Sequence, residues 1–280
     1  MFINLKDALK GAKEDKRALG SFNVYSYETI RGVIKAAKEA QSPAIVSFGA
    51  SYLKNMSLET VYSIALEAAS ETEGQIVLHL DHCTDINIIK RAVGAGFTSV
   101  MYDGSALDFE ENVKNTSEVV KLAHAKNVSV EAELGSIALG EFSNETEIDH
   151  GQSYTDPIKA KEFAERTGID ALAVSIGTVH GMYKAKPDIR VDILKKINDL
   201  TSVPLVLHGG SGTPEEKILE CIENGICKIN VNTEISQYTV MKIRELLNKS
   251  ENTHLSKLSL EEISFVSEVV FKYIKLFLNK

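Results

Sequence analysis

Short runs of hydrophobic residues alternate with longer amphipathic segments along most of the chain. The runs are rich in Val, Ile and Leu and do not alternate strictly with polar residues, which is typical of parallel strands that are buried on both faces. The predicted strands are residues 19–24, 44–48, 75–80, 98–102, 128–132, 171–175, 203–207 and 228–231. The segments between them have the spacing of amphipathic helices, as in Ile30, Val33, Ile34 and Ala37.

The repeated order of strand and helix predicts an α/β fold, a (β/α)8 TIM barrel, as one domain over residues 1–280. No linker rich in Pro, Gly or Ser divides the chain, and residues from about 255 to 280 are predicted to form a helical C-terminal extension. A doubly wound open sheet is the alternative architecture. It would need a glycine-rich turn after the first strand, where the sequence is FNVYS.

Composition restricts the class of protein more than it restricts the activity. A hydrophobic fraction of 44% and a charged fraction of 25% are ordinary for a soluble globular chain. The net charge of −8 without a basic cluster argues against nucleic acid as a partner. No hydrophobic run approaches the roughly 20 residues that span a bilayer, so no membrane partner is expected. Three cysteines and a charged N-terminus without a secretory signal predict a cytoplasmic protein.

Three of the seven histidines lie just past predicted strands. His82 follows the third strand, His180 the sixth and His208 the seventh. The carboxyl ends of barrel strands meet on one face, and three neutral imidazoles with an open position are a ligand set of catalytic zinc. The pattern therefore predicts a zinc site. His79 lies inside a strand and is predicted to face the barrel core, whereas His124 is predicted to be solvated.

Three carboxylates share this face of the predicted barrel. Asp81 directly precedes a predicted ligand, where it serves either as a general acid/base or as a group that orients an imidazole. Asp103 closes the fourth strand and Glu133 the fifth. Both are in reach of a cation, and both are equally suited to accepting hydrogen bonds from neighbouring loops.

Two polar clusters follow the last two predicted strands, GGSG at 209–212 and NVNT at 230–233. Backbone N–H groups and a helix N-terminus suit phosphate, and barrels often bind phosphate after these two strands. The sequence TPEE at 213–216 predicts a capping box that starts the next helix. A glycine-rich turn alone is a weak signal, but its pairing with the second cluster predicts a phosphate site.

The segment at 135–156 is polar and long for a βα loop. Loops of this length are often active-site lids. Its acidic residues include Glu141, Glu145, Glu147 and Asp149.

Six motifs, in this order, resemble those of the class II, metal-dependent ketose-bisphosphate aldolases, which include the fructose- and tagatose-bisphosphate enzymes. They are LHLDH at 78–82, GFTSVMYD at 96–103, VEAELG at 130–135, VHG at 179–181, LHGGSG at 207–212 and KINVNTE at 228–234. The resemblance implies a TIM-barrel aldolase that uses zinc to cleave a phosphorylated ketose into dihydroxyacetone phosphate and an aldehyde.

The resemblance also implies roles for individual residues. Zinc would be bound by His82, His180 and His208, and Asp81 would carry the proton. Asp103 and Glu133 would belong to an alternative or second cation site, divalent or monovalent, and Glu141 is the first choice for protonating the ene-diolate. The residues implied for the substrate are Asn23, Ser51, Gly181, Gly209, Gly210, Ser211, Asn230, Val231, Asn232 and Thr233. A homo-oligomer, dimer or tetramer, is expected.

The chain departs from the family pattern in two places. Its lid reads SIALGEFS at 136–143 and lacks the usual Gly-Gly motif, and no arginine follows Arg244 to bind a distal phosphate. Asn232 stands where many fructose-bisphosphate members have aspartate. The tagatose-type branch tends to have asparagine at this position. The substrate therefore stays open between a ketose bisphosphate and a ketose 1-phosphate.

Three other functions compete with the zinc aldolase. The first is a zinc-binding barrel hydrolase or isomerase with Asp81 as the base, and the second is a metal-binding protein without catalysis. The third is a Schiff-base aldolase that uses Lys228, which lies in the eighth predicted strand.

Overall fold

The computed structural model describes residues 2–72, 75–143, 153–184, 187–249 and 252–279. Eight parallel strands form a closed barrel: β1 Leu19–Asn23, β2 Ala44–Gly49, β3 Ile76–Cys83, β4 Ser99–Tyr102, β5 Ser129–Leu134, β7 Ala171–Val174, β9 Leu205–Leu207 and β10 Ile226–Val231. Two short strands, β6 (Ala138–Leu139) and β8 (Val179–His180), pair with each other outside the barrel. The TIM-barrel prediction is confirmed. The open-sheet alternative is wrong, because β1 pairs with β10 and closes the sheet.

Helices surround the barrel: α1 Leu5–Ala8, α2 Tyr27–Ala40, α3 Leu58–Ser70, α4 Ile86–Ala95, α5 Phe109–His124, α6 Pro157–Thr167, α7 Val191–Leu200, α8 Glu215–Glu223, α9 Thr233–Lys249 and α10 Leu255–Phe277. A 3-10 helix, Ala50–Lys54, follows β2. Helix α10 packs against α2 and α9. Gly32 permits this approach, since a Cβ there would lie 2.5 Å from a methyl carbon of Val266. Among the described residues, no helix has both the length and the hydrophobicity to cross a bilayer.

The interior of the barrel has two chemically different layers. Toward the amino ends of the strands, Leu19, Ile45 and Val77 pack with Leu5 and Leu9 from the N-terminal segment. Further along the same strands the interior becomes polar, with buried side chains that include Ser21, Ser47, His79, Ser99, Glu131 and Lys228. The hydrophobic layer fills the lower end of the barrel, and the polar layer supports the face where the predicted ligands lie.

The structure corrects one local prediction. Helix α8 begins after Pro214, and no side chain caps its N-terminus. Thr213 instead donates its hydroxyl to the carbonyl oxygen of Gly209, 3.0 Å away, so the predicted capping box is wrong. His124 is exposed, as predicted, and its Nε2 also lies 2.7 Å from the Asp170 carboxylate, just before β7.

Candidate active site

The structure brings His82, His180 and His208 together at the carboxyl end of the barrel. The centroid of the His82 ring lies 4.9 Å from that of His180 and 4.6 Å from that of His208. One nitrogen of each ring lies within 4.8 Å of the nitrogens of the other two. His82 lies near the end of β3 at a positive φ of 43°, where the pairing with β4 shifts register after Leu80. Such a bulge re-aims a side chain, here toward the other imidazoles.

Two carboxylates fix the orientation of these rings. His82 Nδ1 lies 2.8 Å from Asp103 Oδ2, and His208 Nε2 lies 3.0 Å from Glu131 Oε1. A carboxylate on one imidazole nitrogen sets the tautomer and leaves the other nitrogen to bind a metal. Asp103 is itself held, because Ser105 donates both its backbone N–H and its hydroxyl to Oδ1.

The donor set fits a zinc ion. Within the described part of the chain, the buried atoms His180 Nε2 and His208 Nδ1 have no hydrogen-bond partner. Leaving a buried polar atom unpaired is costly, and binding a metal would remove that cost. Burial lowers the pKa of His180 well below its usual range, and the neighbouring imidazoles lower it further. Burial also lowers the pKa of His208, against the opposing effect of its bond to Glu131. Neutral imidazoles are the form that binds zinc.

Asp81 lies beside these histidines and is 1% exposed. Its Oδ2 accepts a hydrogen bond of 2.9 Å from Asn23, and its Oδ1 accepts one of 3.1 Å from Asn230. Burial by itself would raise the pKa of this carboxyl, but electrostatic attraction to the neighbouring His82 and Lys228 brings it below its usual range. The carboxyl is therefore ionised, which is the form in which it can accept a proton.

A cleft opens above these groups. The residues that line it are Asn23, Asp81, His82, Ser143, His180, Gly181, Gly209, Ser211, Asn230, Asn232 and Thr233. Ser211 Oγ accepts hydrogen bonds from the backbone N–H groups of Asn232 and Glu234, which joins the GGSG turn to the start of α9. A helix N-terminus next to backbone amides of a glycine turn is a favourable place for a phosphate.

Comparison with known proteins agrees with this geometry. The family described as "Fructose-bisphosphate aldolase class-II" matches residues 3–280. The chain belongs to this family. The fructose-bisphosphate aldolase of Geobacillus stearothermophilus is 41% identical over 255 residues, which are 90% of this chain and 88% of that protein. The uncharacterized protein YdjI of Escherichia coli (strain K12) is 40% identical over 263 residues, 93% of this chain and 91% of that protein.

A solved structure extends the comparison to three dimensions. The crystal structure of the YdjI aldolase from Escherichia coli K12 matches with a TM-score of 0.87 and 37% identity, and the match covers 99% of this chain and 97% of that one. The protein is thus a class II aldolase, a carbon–carbon lyase. Family membership decides for the aldolase over the hydrolase, isomerase and Schiff-base alternatives.

Below the cleft of the aldolase, a buried ion pair connects the predicted base with a predicted ligand. Lys228 Nζ lies 2.9 Å from Glu131 Oε2 and donates to Asn230 Oδ1 at 2.7 Å. Asn230 in turn holds Asp81, and Glu131 holds His208. Lys228 is fully buried and does not line the described cleft, so its ammonium group serves this network.

Glu131 is the residue that sequence reasoning missed. In the sequence it is one residue of the VEAELG motif, and the motif does not indicate a function for it. A usable signal was present, since a charged residue inside a strand predicted to be buried on both faces needs a partner of opposite charge. Lys228, in another such strand, was that partner.

Asp103 and Glu133 form a second group with His82, whose candidate ligand atoms also lie within 4.8 Å of one another. Glu133 Oε2 lies 3.6 Å from His208 Nδ1. Since Asp103 also orients His82, the structure is compatible with both of its predicted roles, and the second cation site stays a prediction.

Several predicted substrate residues of the aldolase lie outside the described cleft. Gly210 donates its N–H to the carbonyl oxygen of Asn230 at 2.9 Å, and Val231 is buried in the barrel wall. Ser51 is half-buried in the 3-10 helix after β2, while its neighbour Tyr52 accepts a hydrogen bond from Asn232. The roles of these residues stay predictions.

The lid of the aldolase is tied to the loop of a predicted ligand. Strand β6 pairs with β8, and the Gly140 N–H donates to the carbonyl oxygen of His180 at 2.8 Å. The side chain of Glu141 is exposed, and its role as proton donor stays a prediction. Among the described lid residues, Ser143 lines the cleft. Glu145, Glu147 and Asp149 lie outside the described residues.

Gly209→Ala should destabilise the aldolase and raise the KM for a phosphorylated ketose. Gly209 has a φ of +71°, and a Cβ there would lie 2.2 Å from the carbonyl oxygen of Val179. The left-handed conformation alone costs a non-glycine residue about 1–2 kcal/mol. Denaturant unfolding and steady-state kinetics measure the two effects.

Gly94→Ala is the matched control, because a Cβ at this position in α4 meets nothing within 4 Å. It should stabilise the protein by about 0.5–1 kcal/mol. Equal stability and equal KM for the two variants would show that the loop at Gly209 does not need glycine.

Proposed function

We propose that this aldolase uses zinc to cleave a phosphorylated ketose, of the tagatose- or fructose-bisphosphate type or a ketose 1-phosphate, into dihydroxyacetone phosphate and an aldehyde. The observation that carries the proposal is the convergence of three buried imidazoles beside a carboxylate that two asparagine amides hold. The relative from Geobacillus stearothermophilus is a fructose-bisphosphate aldolase. Phosphorylated sugars are the substrates of the family, which supports this substrate class.

The zinc would be held by His82, His180 and His208, and its chemistry there is Lewis-acid polarisation of the substrate carbonyl. Glu131 and Asp103 hold two of the three rings in the orientation that this needs. With Glu133, Asp103 also offers a second cation site that we retain as part of the proposal.

Asp81 takes the proton of the C4 hydroxyl. As that proton leaves, the C4–O bond becomes the carbonyl of the aldehyde and the C3–C4 bond breaks. The electron pair of that bond passes to the ene-diolate of the triose phosphate half. A proton delivered to C3 completes dihydroxyacetone phosphate, and Glu141 in the lid is the proposed donor. Asn23 and Asn230 keep the Asp81 carboxylate directed at the hydroxyl rather than at solvent.

The phosphate of the triose half lies, in this proposal, between Gly181, the GGSG turn and the start of α9. Gly181 and Gly209 both have positive φ, and at each of them a Cβ would collide with a backbone oxygen. Glycine therefore lets backbone segments of the cleft wall pack closely at these two points. Asn232 and Thr233 complete the wall.

A panel of phosphorylated ketoses tests the proposal. The zinc-loaded enzyme, incubated with fructose 1,6-bisphosphate, tagatose 1,6-bisphosphate and the matching 1-phosphates, should release dihydroxyacetone phosphate from at least one of them. A coupled reductase assay measures that release. Because no arginine follows Arg244, we expect any preference for a bisphosphate to stay below about 10³ in kcat/KM, or some 4 kcal/mol. Cleavage of none of these sugars would contradict the proposed substrate class.

We further propose that the enzyme works in the cytoplasm as a homodimer or homotetramer. Its three cysteines are free and buried, which supports a reducing compartment. Leu255 and Leu260 of α10 are exposed by 76% and 66%, which supports an apolar contact between copies of the chain.

A further inference from the structure

A second cavity adjoins the central cleft. The residues that line it are Tyr25, Tyr52, Asn55, Phe142, Asn232, Thr233, Ser236 and Gln237. Asn232 and Thr233 line both spaces. A substrate whose triose phosphate half fills the cleft therefore extends into this cavity with its other half.

The wall of this cavity combines aromatic rings with neutral hydrogen-bonding groups. The rings of Tyr25 and Tyr52 lie 5.1 Å apart at an angle of 53°, and Asn232 donates to the Tyr52 hydroxyl at 2.9 Å. Amide and hydroxyl side chains both donate and accept, so Asn55 and Gln237 can match the hydroxyl groups of a sugar chain.

The described lining contains no lysine, arginine or histidine. Phosphate is normally bound by arginine forks, lysines or a helix N-terminus, and in the proposed binding mode the start of α9 serves the phosphate of the triose half. Two carboxylates add negative charge on the Tyr25 side: burial and Glu262 raise the pKa of the Tyr25 hydroxyl, and burial and Glu28 raise the pKa of Glu262. A second phosphate dianion would lose its water here and gain no counter-charge.

We infer that this cavity is a subsite for an uncharged, polyhydroxylated aldehyde, so that the natural substrate is a ketose 1-phosphate rather than a bisphosphate. The inference rests on the proposed aldol chemistry. It assigns the choice between the two substrate types to the cavity wall.

The test is the condensation reaction of the zinc-loaded enzyme. Dihydroxyacetone phosphate is supplied with either glyceraldehyde or glyceraldehyde 3-phosphate, and kcat/KM is measured for each aldehyde. We expect glyceraldehyde to be preferred by about tenfold or more, since the phosphorylated aldehyde finds no charged donor. A preference for glyceraldehyde 3-phosphate would overturn the inference and leave the aldolase proposal intact. Condensation with neither aldehyde would overturn both.

A gain-of-charge variant tests whether the cavity wall makes this choice. Gln237→Lys places a cation on the wall at an exposed position of α9, and it should shift the preference toward glyceraldehyde 3-phosphate by about tenfold. Asn248→Lys is the matched control, because it adds the same charge to the same helix roughly 16 Å further along the axis. It should leave the ratio unchanged. Equal shifts in both variants would show a general effect of charge and overturn the assignment to this cavity.

Discussion

Asp81→Ala should lower kcat by about 10²–10⁴-fold while the protein keeps about one zinc per chain. The substitution removes the carboxylate that accepts the C4 hydroxyl proton, but leaves the three imidazoles and their partners Asp103 and Glu131 in place. The loss should therefore lie in the chemical step rather than in metal binding. Steady-state kinetics and metal analysis of the same preparation separate the two.

Asp199→Ala serves as the control, since it removes an exposed carboxylate from the end of α7. It should keep both the activity and the metal. A different outcome for Asp81→Ala would change its role: if the variant lost zinc and recovered turnover when zinc was added in excess, Asp81 would be a support for the imidazoles.

Removal of zinc by a chelator should abolish cleavage, and zinc should restore it. His208→Ala should show the same loss without a chelator, because two imidazoles bind zinc much more weakly than three. Metal content and release of dihydroxyacetone phosphate are the measurements. His254→Ala is the control, as this exposed histidine only caps α10, and the variant should keep its zinc. Activity that survives chelation, or covalent trapping of substrate on Lys228 by borohydride, would contradict the zinc mechanism.

The barrel and the three histidines could be predicted because each depends on local pattern. A strand buried on both faces is a hydrophobic run in the sequence, and a residue just after it lies at the carboxyl end of the barrel. His208 follows this rule directly, and His180 follows it less closely, since it lies in β8 beyond the end of β7. The third predicted strand ended at residue 80, whereas β3 continues through His82. The continuation of β3 past residue 80 depends on its bulge against β4. No local sequence pattern predicts this bulge.

Features that depend on two distant segments could not be predicted in this way. The pairing of β6 with β8 consists of two residues on each side, too few to leave a hydrophobic pattern. Thr213 has the sequence of a helix cap, but its hydroxyl finds a nearer acceptor on Gly209 across a turn. The partner of Glu131 is set by the stagger of strands around the barrel, which places Lys228 opposite it from 97 residues away.

The two amides that hold Asp81 come from the first and the last strands of the barrel. Asn23 lies 58 residues before Asp81 and Asn230 lies 149 residues after it, on strands that pair only where the barrel closes. Contacts of such long range form late, because the chain entropy of closing a long loop must be overcome first. During synthesis from the N-terminus, Asp81 leaves the ribosome long before its second amide does. The base is therefore fully oriented only after Asn230 has been synthesised and β10 has paired with β1.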